Sequence, residues 1–531
     1  MKEANLSLFD RSGAIMKLNY KRTILVGFAF FLICAFWQAY DSIIPKILTD
    51  KFGMAQGWSG VVMALDNVLA LFMLPLFGAL SDRTKTRFGR RTPYIVIGTI
   101  IAVIAFVGLS FIDNAQLARV GDAAEMSEKG VHAVYAETDI VNGKLKTHDG
   151  EEYVLSEKYT EEQMTEVAGK AAQGDKAATT EWDSYFVPAR QAVAAKTTAS
   201  HRSILILFMA VLLVTLISMS IFRSPAVALM PDVTIKPLRS KANAIINLMG
   251  SFGGILVLGL GIVFGTGKAP KAMMSYTLFF TVIAAIMVIA LVVFLLTVRE
   301  PKFVADMEEE SRRFGIDNGE DDDGSGSRRL SKGERVSLLL ILASVVLWFF
   351  GYNAVTSKYS VYAGKVLNLD YNMTLIIAQA AAIISYLPVG IVSSRIGRKK
   401  AILAGVVMLA AAFGVASFLR EGSPAMLMNA MFALAGIGWA TINVNSFPMV
   451  VELAKGGNVG KYTGYYYTAS MAAQVLTPIF SGFLMDATKL TILFPYATVF
   501  VILAFFTMFF VKHGDSKPIR KKGLEALDVD D

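Results

Sequence analysis

Residues 57–112 read GWSGVVMALDNVLALFMLPLFGAL, then SDRTKTRFGRRT, then PYIVIGTIIAVIAFVGLSFI. Two apolar runs flank a hinge that holds Arg83, Lys85, Arg87, Arg90 and Arg91. A helix rises about 1.5 Å per residue, so roughly 20 apolar residues cross a hydrocarbon core of about 30 Å. Each run has the length to cross, and the charged hinge has to stay in water.

The same alternation fills the chain. Apolar runs at 23–48, 57–81, 93–112, 203–231, 242–265, 275–298, 336–357, 368–392, 400–419, 424–451, 462–485 and 491–511 predict twelve helical spans. The first is too long for a signal-peptide core and reads as a span. Composition agrees, because 54% of the 531 residues are hydrophobic and only 18% are charged, against about 25% charged in soluble domains. A soluble enzyme or a disordered regulator is excluded. The expectation is an all-α polytopic membrane protein with the lipid bilayer as its first partner.

Charge gives the orientation. Lys17, Lys21 and Arg22, the hinge arginines, Lys236, Arg239 and Lys241, and Arg395, Arg398, Lys399 and Lys400 all fall on one side of the predicted spans. The positive-inside rule makes that side cytoplasmic, with both termini there and the plasma (cytoplasmic) membrane as the expected location. The net charge of +8 is thereby explained without a nucleic acid. Nothing signals oligomerisation, and a monomer is expected.

Two connections are long. Residues 113–202 form an extracytoplasmic insertion between spans 3 and 4. Its stretch HAVYAETDIVNGKLKTHDGEEYVL predicts a hairpin turning at Asn142-Gly143, and TEEQMTEVAGKAAQ predicts a helix. A solvated, poorly packed loop is the competing reading. Residues 299–334 are charged and Gly/Ser-rich and predict a flexible cytoplasmic linker. The domains are then 1–298, a six-helix half carrying the insertion, the linker, and 335–531, a second half with a basic tail.

The halves repeat. At an offset of 312, Tyr40-Asp41 meets Tyr352-Asn353, Lys46 meets Lys358, Asn67 meets Gln379, and Gly78, Ser81 and Arg83 meet Gly390, Ser393 and Arg395. At an offset near 220, Arg223 meets Asn443, Asp232 meets Glu452 and Arg239 meets Lys461. Two six-helix repeats suit a carrier with a mid-membrane site between them. The first half is charged where the second is neutral. Asp41, Asp66 and Arg223 stand within apolar spans, opposite Asn353, Ala378 and Asn443.

A lone charge in a bilayer costs at least about 2.5–3.5 kcal/mol, so such groups pair or line water. Asp41 and Asp66 are the candidates for a coupling cation, H+ or Na+, with Arg223 as counter-charge or hydroxyl donor. The competing reading pairs Asp41 with Lys46 or Lys358. Trp37, Tyr40, Asn67, Asn353, Gln379, Tyr386, Asn443 and Gln474 offer the amides, hydroxyls and ring faces that suit a sugar. The glycines Gly250, Gly253 and Gly254 suit close helix packing. All four histidines, His132, His148, His201 and His513, fall in or beside water-facing segments. The single Cys34 allows no intramolecular disulfide and no Cys-based metal site, and no nucleophile–His pair or phosphate loop suggests an enzyme. No cofactor beyond the coupling ion is expected.

The hinge GALSDRTKTRFGRRTPYI (Gly78–Ile95), with WQAYDSIIP (Trp37–Pro45) and MPDVTIKPLRSKANAI (Met230–Ile245), resembles the major facilitator superfamily. Within it, the chain is similar to sucrose/proton symporters and glycoside-pentoside-hexuronide:cation symporters. The resemblance implies a twelve-helix rocking symporter of a sugar or glycoside, gated by Gly78, Asp82, Arg83, Arg90, Arg91, Asp232 and Arg239, with Gly390, Arg395 and Glu452 in the second half. Where such symporters carry an arginine five residues before the aspartate matching Asp232, this chain has Val227, and Arg223 lies one turn earlier. Efflux of an amphipathic compound, lysolipid movement and ligand sensing by the insertion are the competing functions.

Overall fold

In the computed structural model, residues 18–148, 150–235, 238–314, 331–453 and 459–514 are described. Lys17, Lys236, most of the Gly/Ser-rich linker and the basic tail past Gly514 lie outside them, as do the side chains of Arg239, Arg395 and Glu452.

Twelve helices of 17 residues or more are present among the described residues. They are α1 (Tyr20–Lys46), α2 (Gln56–Arg83), α3 (Thr92–Val120), α4 (Arg202–Asp232), α5 (Arg239–Phe264), α6 (Thr277–Thr297), α7 (Lys332–Val366), α8 (Tyr371–Ile396), α9 (Arg398–Ala416), α10 (Ala425–Glu452), α11 (Val459–Ala487) and α12 (Leu493–Phe509). Eleven are long and apolar enough to cross a membrane, and α8 carries the shorter apolar stretch Tyr371–Tyr386.

Their ends are locally encoded. The Asn19 side chain accepts the Arg22 N–H at the start of α1, Ser331 and Glu334 form a capping box on α7, and Asp370 caps α8. Each satisfies backbone donors that a helix leaves open. Prolines inside α1, α4, α8, α10 and α11 are tolerated because neighbouring membrane helices re-satisfy the freed backbone groups.

Packing follows the repeat. In the first half α1 packs on α5 and α6, α2 on α4, and α3 on α4 and α6; in the second, α7 packs on α11 and α12, α8 on α10, and α9 on α10 and α12. Each half has its own apolar core. The halves meet through α2 on α11, α5 on α8, and α1 on α7, a pattern that maps onto itself when the halves are exchanged. Close approach uses the α5 glycines: a Cβ at Gly250 would lie 2.7 Å from Cys34 Sγ, and one at Gly253 would lie 2.7 Å from the Phe31 carbonyl oxygen.

Two readings of the connections change. The α3 helix continues to Val120, so the insertion begins later than residue 113. It is a folded unit with its own core of Val131, Leu155, Met164, Trp182, Phe186 and their neighbours, which excludes the poorly packed loop. Glu161–Ala172 is helical with a Thr160–Gln163 capping box. The hairpin pairs Lys144–Lys146 with Glu152–Val154, so its turn falls near Gly150 (φ +85°). The Asn142-Gly143 pair instead ends the short helix Thr138–Val141, because the apolar residues before it pack at helical spacing. The linker also departs from its expectation: Glu300–Arg313 is a helix, held by Arg22 to Glu310 at 2.9 Å.

Candidate functional site

A cavity of about 190 Å3 lies between the halves, lined by Trp37, Asp41, Met63, Asp66, Asn67, Arg223, Asn353, Thr356, Ser357, Gln474 and Pro478. Helices α1, α2 and α4 supply the charges. Helices α7 and α11 supply amides and hydroxyls. Asp41, Asp66 and Arg223 thus share one space with Asn353 of the second half, while the other two neutral counterparts, Ala378 and Asn443, do not line it.

Within it, Asn67 Nδ2 donates to Asp66 Oδ1 at 2.8 Å. The Arg223 guanidinium sits 5.6 Å from the centre of the Trp37 ring, and among the described residues it forms no ion pair with either carboxylate. Its donors remain available to a guest. Trp37 stands edge-on to Tyr40, 5.4 Å between ring centres. The buried Trp37 Nε1 and Asn353 Nδ2 have no hydrogen-bond partner among the described residues, and unmatched buried donors of this kind are costly unless something fills them.

Lys46 and Lys358 do not pair with Asp41. Lys46 Nζ donates to the Thr266 carbonyl oxygen at 2.5 Å, and Lys358 Nζ donates to the Gln56 carbonyl oxygen at 2.8 Å. The competing reading of Asp41 fails because Lys46 answers a carbonyl in the loop after α5 and Lys358 the carbonyl of the first residue of α2.

Four predicted contacts do not line the cavity. Tyr40 is buried beneath Trp37, stacked on Phe36. Gln379 Nε2 donates to Gln38 Oε1 at 2.6 Å, bridging α8 and α1. Tyr386 and Asn443 are exposed and lie beside each other on α8 and α10. Sequence reasoning missed Met63, Thr356, Ser357 and Pro478. The three- and four-residue spacing of Thr356 and Ser357 from Asn353 on one helix face was the available signal.

The cavity is sealed toward the insertion. A Cβ at Gly60 would lie 2.0 Å from the Pro478 carbonyl oxygen, so α2 and α11 touch at backbone distance. The Gln56 and Gly57 N–H groups donate to the Asp486 carboxylate at 2.8 and 2.6 Å. On the other side, Gly390 has nothing within 4 Å of a Cβ, and Gly78 meets only Ser224 of its own half.

The hinge forms a network inside the first half. Arg91 pairs with Asp82 and with Asp232 at 2.8 Å, and Arg90 pairs with Asp232 at 2.6 Å. Arg83 is exposed and stands outside it. Glu300, which sequence reasoning assigned to a flexible linker, is 1% exposed and accepts from the backbone N–H groups of Arg90, Arg91 and Thr92 at 2.7, 2.9 and 2.8 Å. It caps the start of α3, where the helix dipole favours an anion. Gly89, at φ +108°, passes so close to this carboxyl that a Cβ would lie 2.2 Å from it.

Among known proteins, the family model described as Major Facilitator Superfamily matches residues 191–385 and 372–528, and one described as MFS/sugar transport protein matches 25–118. Similar curated proteins include the "Putative glycoside/cation symporter YagG" of Escherichia coli (strain K12), 38% identical over 68 residues, 13% of this chain and 15% of that protein. The "Proton-associated sugar transporter A" of Homo sapiens is 33% identical over 100 residues, 19% of this chain and 12% of that one. The chain thus matches only 12–15% of the length of these relatives. The xylose transporter XylE from E. coli, in an inward open conformation, superposes with a TM-score of 0.59 at 12% identity, over 96% of this chain and 99% of that one. That likeness establishes the fold.

Proposed function

We propose that this chain, which belongs to the major facilitator superfamily, is a secondary active transporter that carries a sugar or glycoside together with H+ or Na+ by alternating access. Proteins of this family and fold are transporters, not enzymes. The observation that supports the reading is the single cavity in which Asp41, Asp66 and Arg223 of one half face Asn353, Thr356, Ser357 and Gln474 of the other.

The roles follow from the chemistry. Two carboxylates close together in a poorly hydrated space disfavour double ionisation, and a bound cation relieves that cost. Arg223, unpaired with either carboxylate among the described residues, can donate to sugar hydroxyls, and Trp37 offers an apolar face to the C–H side of a ring. The amides of Asn67, Asn353 and Gln474 each donate and accept, which matches hydroxyl groups. A guest that touches both halves favours the state in which they close on it. By the positive-inside rule, the side carrying the hinge arginines is cytoplasmic, so the contact of α2 with α11 closes the outward side of the cavity in the plasma membrane. The polar lining suits a sugar better than an amphipathic efflux substrate or a lysolipid.

The test is uptake into proteoliposomes of labelled mono- and disaccharides under an imposed pH gradient, an imposed Na+ gradient, or neither. Accumulation of one sugar under one gradient supports symport and names the ion. Absence of sugar movement under every gradient refutes it.

A further inference from the structure

The insertion is fastened to the first half by buried bonds. Its last helix, Val187–Ser200, lies against the turn after α1, where a Cβ at Gly53 (φ +62°) would come 2.4 Å from the Gln191 carbonyl oxygen. The buried Thr198 hydroxyl donates to the Phe52 carbonyl oxygen at 3.0 Å, and Gln116 Nε2 donates to Thr198 Oγ1 at 2.9 Å and to the Lys51 carbonyl oxygen at 3.0 Å. Beside them Lys51 pairs with Asp113 at 2.6 Å, both side chains fully buried, and donates to the Met274 carbonyl oxygen at 2.7 Å. That pair makes the turn after α1 a fixed part of the first half, and the buried Thr198 bonds to Phe52 and Gln116 hold the insertion to it, so insertion and first half move as one body.

Insertion and first half together reach the second half at two places. The Leu490 N–H donates to the His148 carbonyl oxygen at 2.8 Å, and Gly150 passes so close to Thr488 that a Cβ would lie 2.9 Å from its carbonyl oxygen. Deeper, Lys365 at the end of α7 pairs with Asp50 at 2.9 Å, the two side chains 14% and 4% exposed. Gln191 Nε2 of the insertion donates to the same Asp50 oxygen at 2.9 Å. Arg190, buried, lies within electrostatic reach of Asp50 and Asp183, and Asp183 within reach of Lys365 and Glu421. Asp50 and Asp183 ride on two wide helical turns, Ile47–Lys51 and Trp182–Phe186, a geometry that recurs at functional sites.

We propose that the insertion is a latch for the gate on its own side, docking on the second half only when that gate is shut. Gln191 steadies Asp50 on Lys365, and the hairpin grips Thr488 to Leu490. The inference rests on the rocking movement proposed above, since only relative motion of the halves would break these contacts. A contact present in one state alone sets the balance between the two states.

The test uses the full chain in lipid nanodiscs, in a Cys34→Ser background, with spin labels at Glu162→Cys on the insertion and Met426→Cys at the start of α10. Pulsed electron resonance reads the spread of distances between them. The latch predicts that a short distance dominates, that Lys365→Gln raises the long-to-short ratio by roughly tenfold or more, and that Gln191→Ala raises it by less. Should Lys365→Gln fail to fold, Gln191→Ala carries the same test. A second arm places cysteines at His148 and Leu490, since a disulfide spans Cα atoms about 4.4–6.8 Å apart. Oxidation should remove the long distance, and a reductant should restore it. If Gln191→Ala and Lys365→Gln leave the ratio unchanged while wild type still shows two distances, or if the long distance survives oxidation, the latch is overturned and the rocking reading stands. One distance in every variant, with and without a sugar panel and ion gradients, overturns the rocking reading and the latch together.

Discussion

The two halves are built alike and equipped differently. Five intra-half helix contacts recur in both, and even the Ser81 hydroxyl bond to the Gly78 carbonyl oxygen (2.8 Å) has its counterpart in Ser393 and Gly390 (3.1 Å). Yet the first half holds Asp41, Asp66 and Arg223 around the cavity, and the second holds Asn353, Thr356, Ser357 and Gln474. Helix packing depends on shape and apolar pattern, which duplication preserves. Cavity chemistry is free to diverge because a water-lined side chain contributes little to packing. The charged half is suited to an ion and the neutral half to hydroxyls, and each can be altered separately.

The largest effect should come from the charged half. Asp41→Asn is expected to lower gradient-driven accumulation roughly 5- to 150-fold, the usual range of a coupling free energy, while equilibrium exchange of unlabelled for labelled sugar persists. Measuring both in the same vesicles breaks the comparison if exchange falls equally. Next comes Glu300, which caps α3 from a distance, whereas α9 starts after Gly397, a residue with no side chain to cap it. Glu300→Ala should destabilise the chain by about 2–3 kcal/mol by stripping buried charge-assisted bonds from three N–H groups, read as a lowered melting temperature in detergent. Glu300→Gln should recover part of the loss.

A smaller effect belongs to the neutral half. Asn353→Ala should raise the apparent KM several-fold, worth about 1 kcal/mol for a hydrogen bond, with the ion-to-sugar stoichiometry unchanged in parallel flux measurements. A changed stoichiometry would erase the division between the halves. The smallest lies in the insertion. Burial, partly offset by Arg190, pushes the Asp183 carboxyl up to about 7. The folded state then holds a proton that the unfolded chain releases near the ordinary value of 3.8, so this group's contribution to stability falls as pH rises from about 4 to 7. Thermal unfolding across that range should show a decline, and Asp183→Asn should flatten it.

Legibility in the sequence tracked the range of the interaction. The membrane helices were readable because hydropathy is local, and Asp41, Asp66, Arg223, Asn353 and Gln474 were readable because charge or amide inside an apolar run is conspicuous by itself. Tyr386 and Asn443 were equally conspicuous, but they are exposed side by side on α8 and α10, outside the cavity lining. Glu300 was hidden by a Gly/Ser-rich, charged stretch that begins a few residues later. The hairpin turn was misplaced because Asn142-Gly143 suits a helix end as well as a tight turn.

Covalent order and hydropathy alone determined the span number, the two-fold repeat and the asymmetry of charge between its halves, since each is a property of a segment or of two segments compared. Only the tertiary structure decided which polar groups share water, which lysine answers which carbonyl, and that a folded insertion joins Asp50 to Lys365. Those contacts link residues hundreds of positions apart, such as Lys358 to Gln56 across 302 residues and Glu300 to Thr92 across 208. No local pattern encodes a partner at that separation; it is selected by the packing of all twelve helices together.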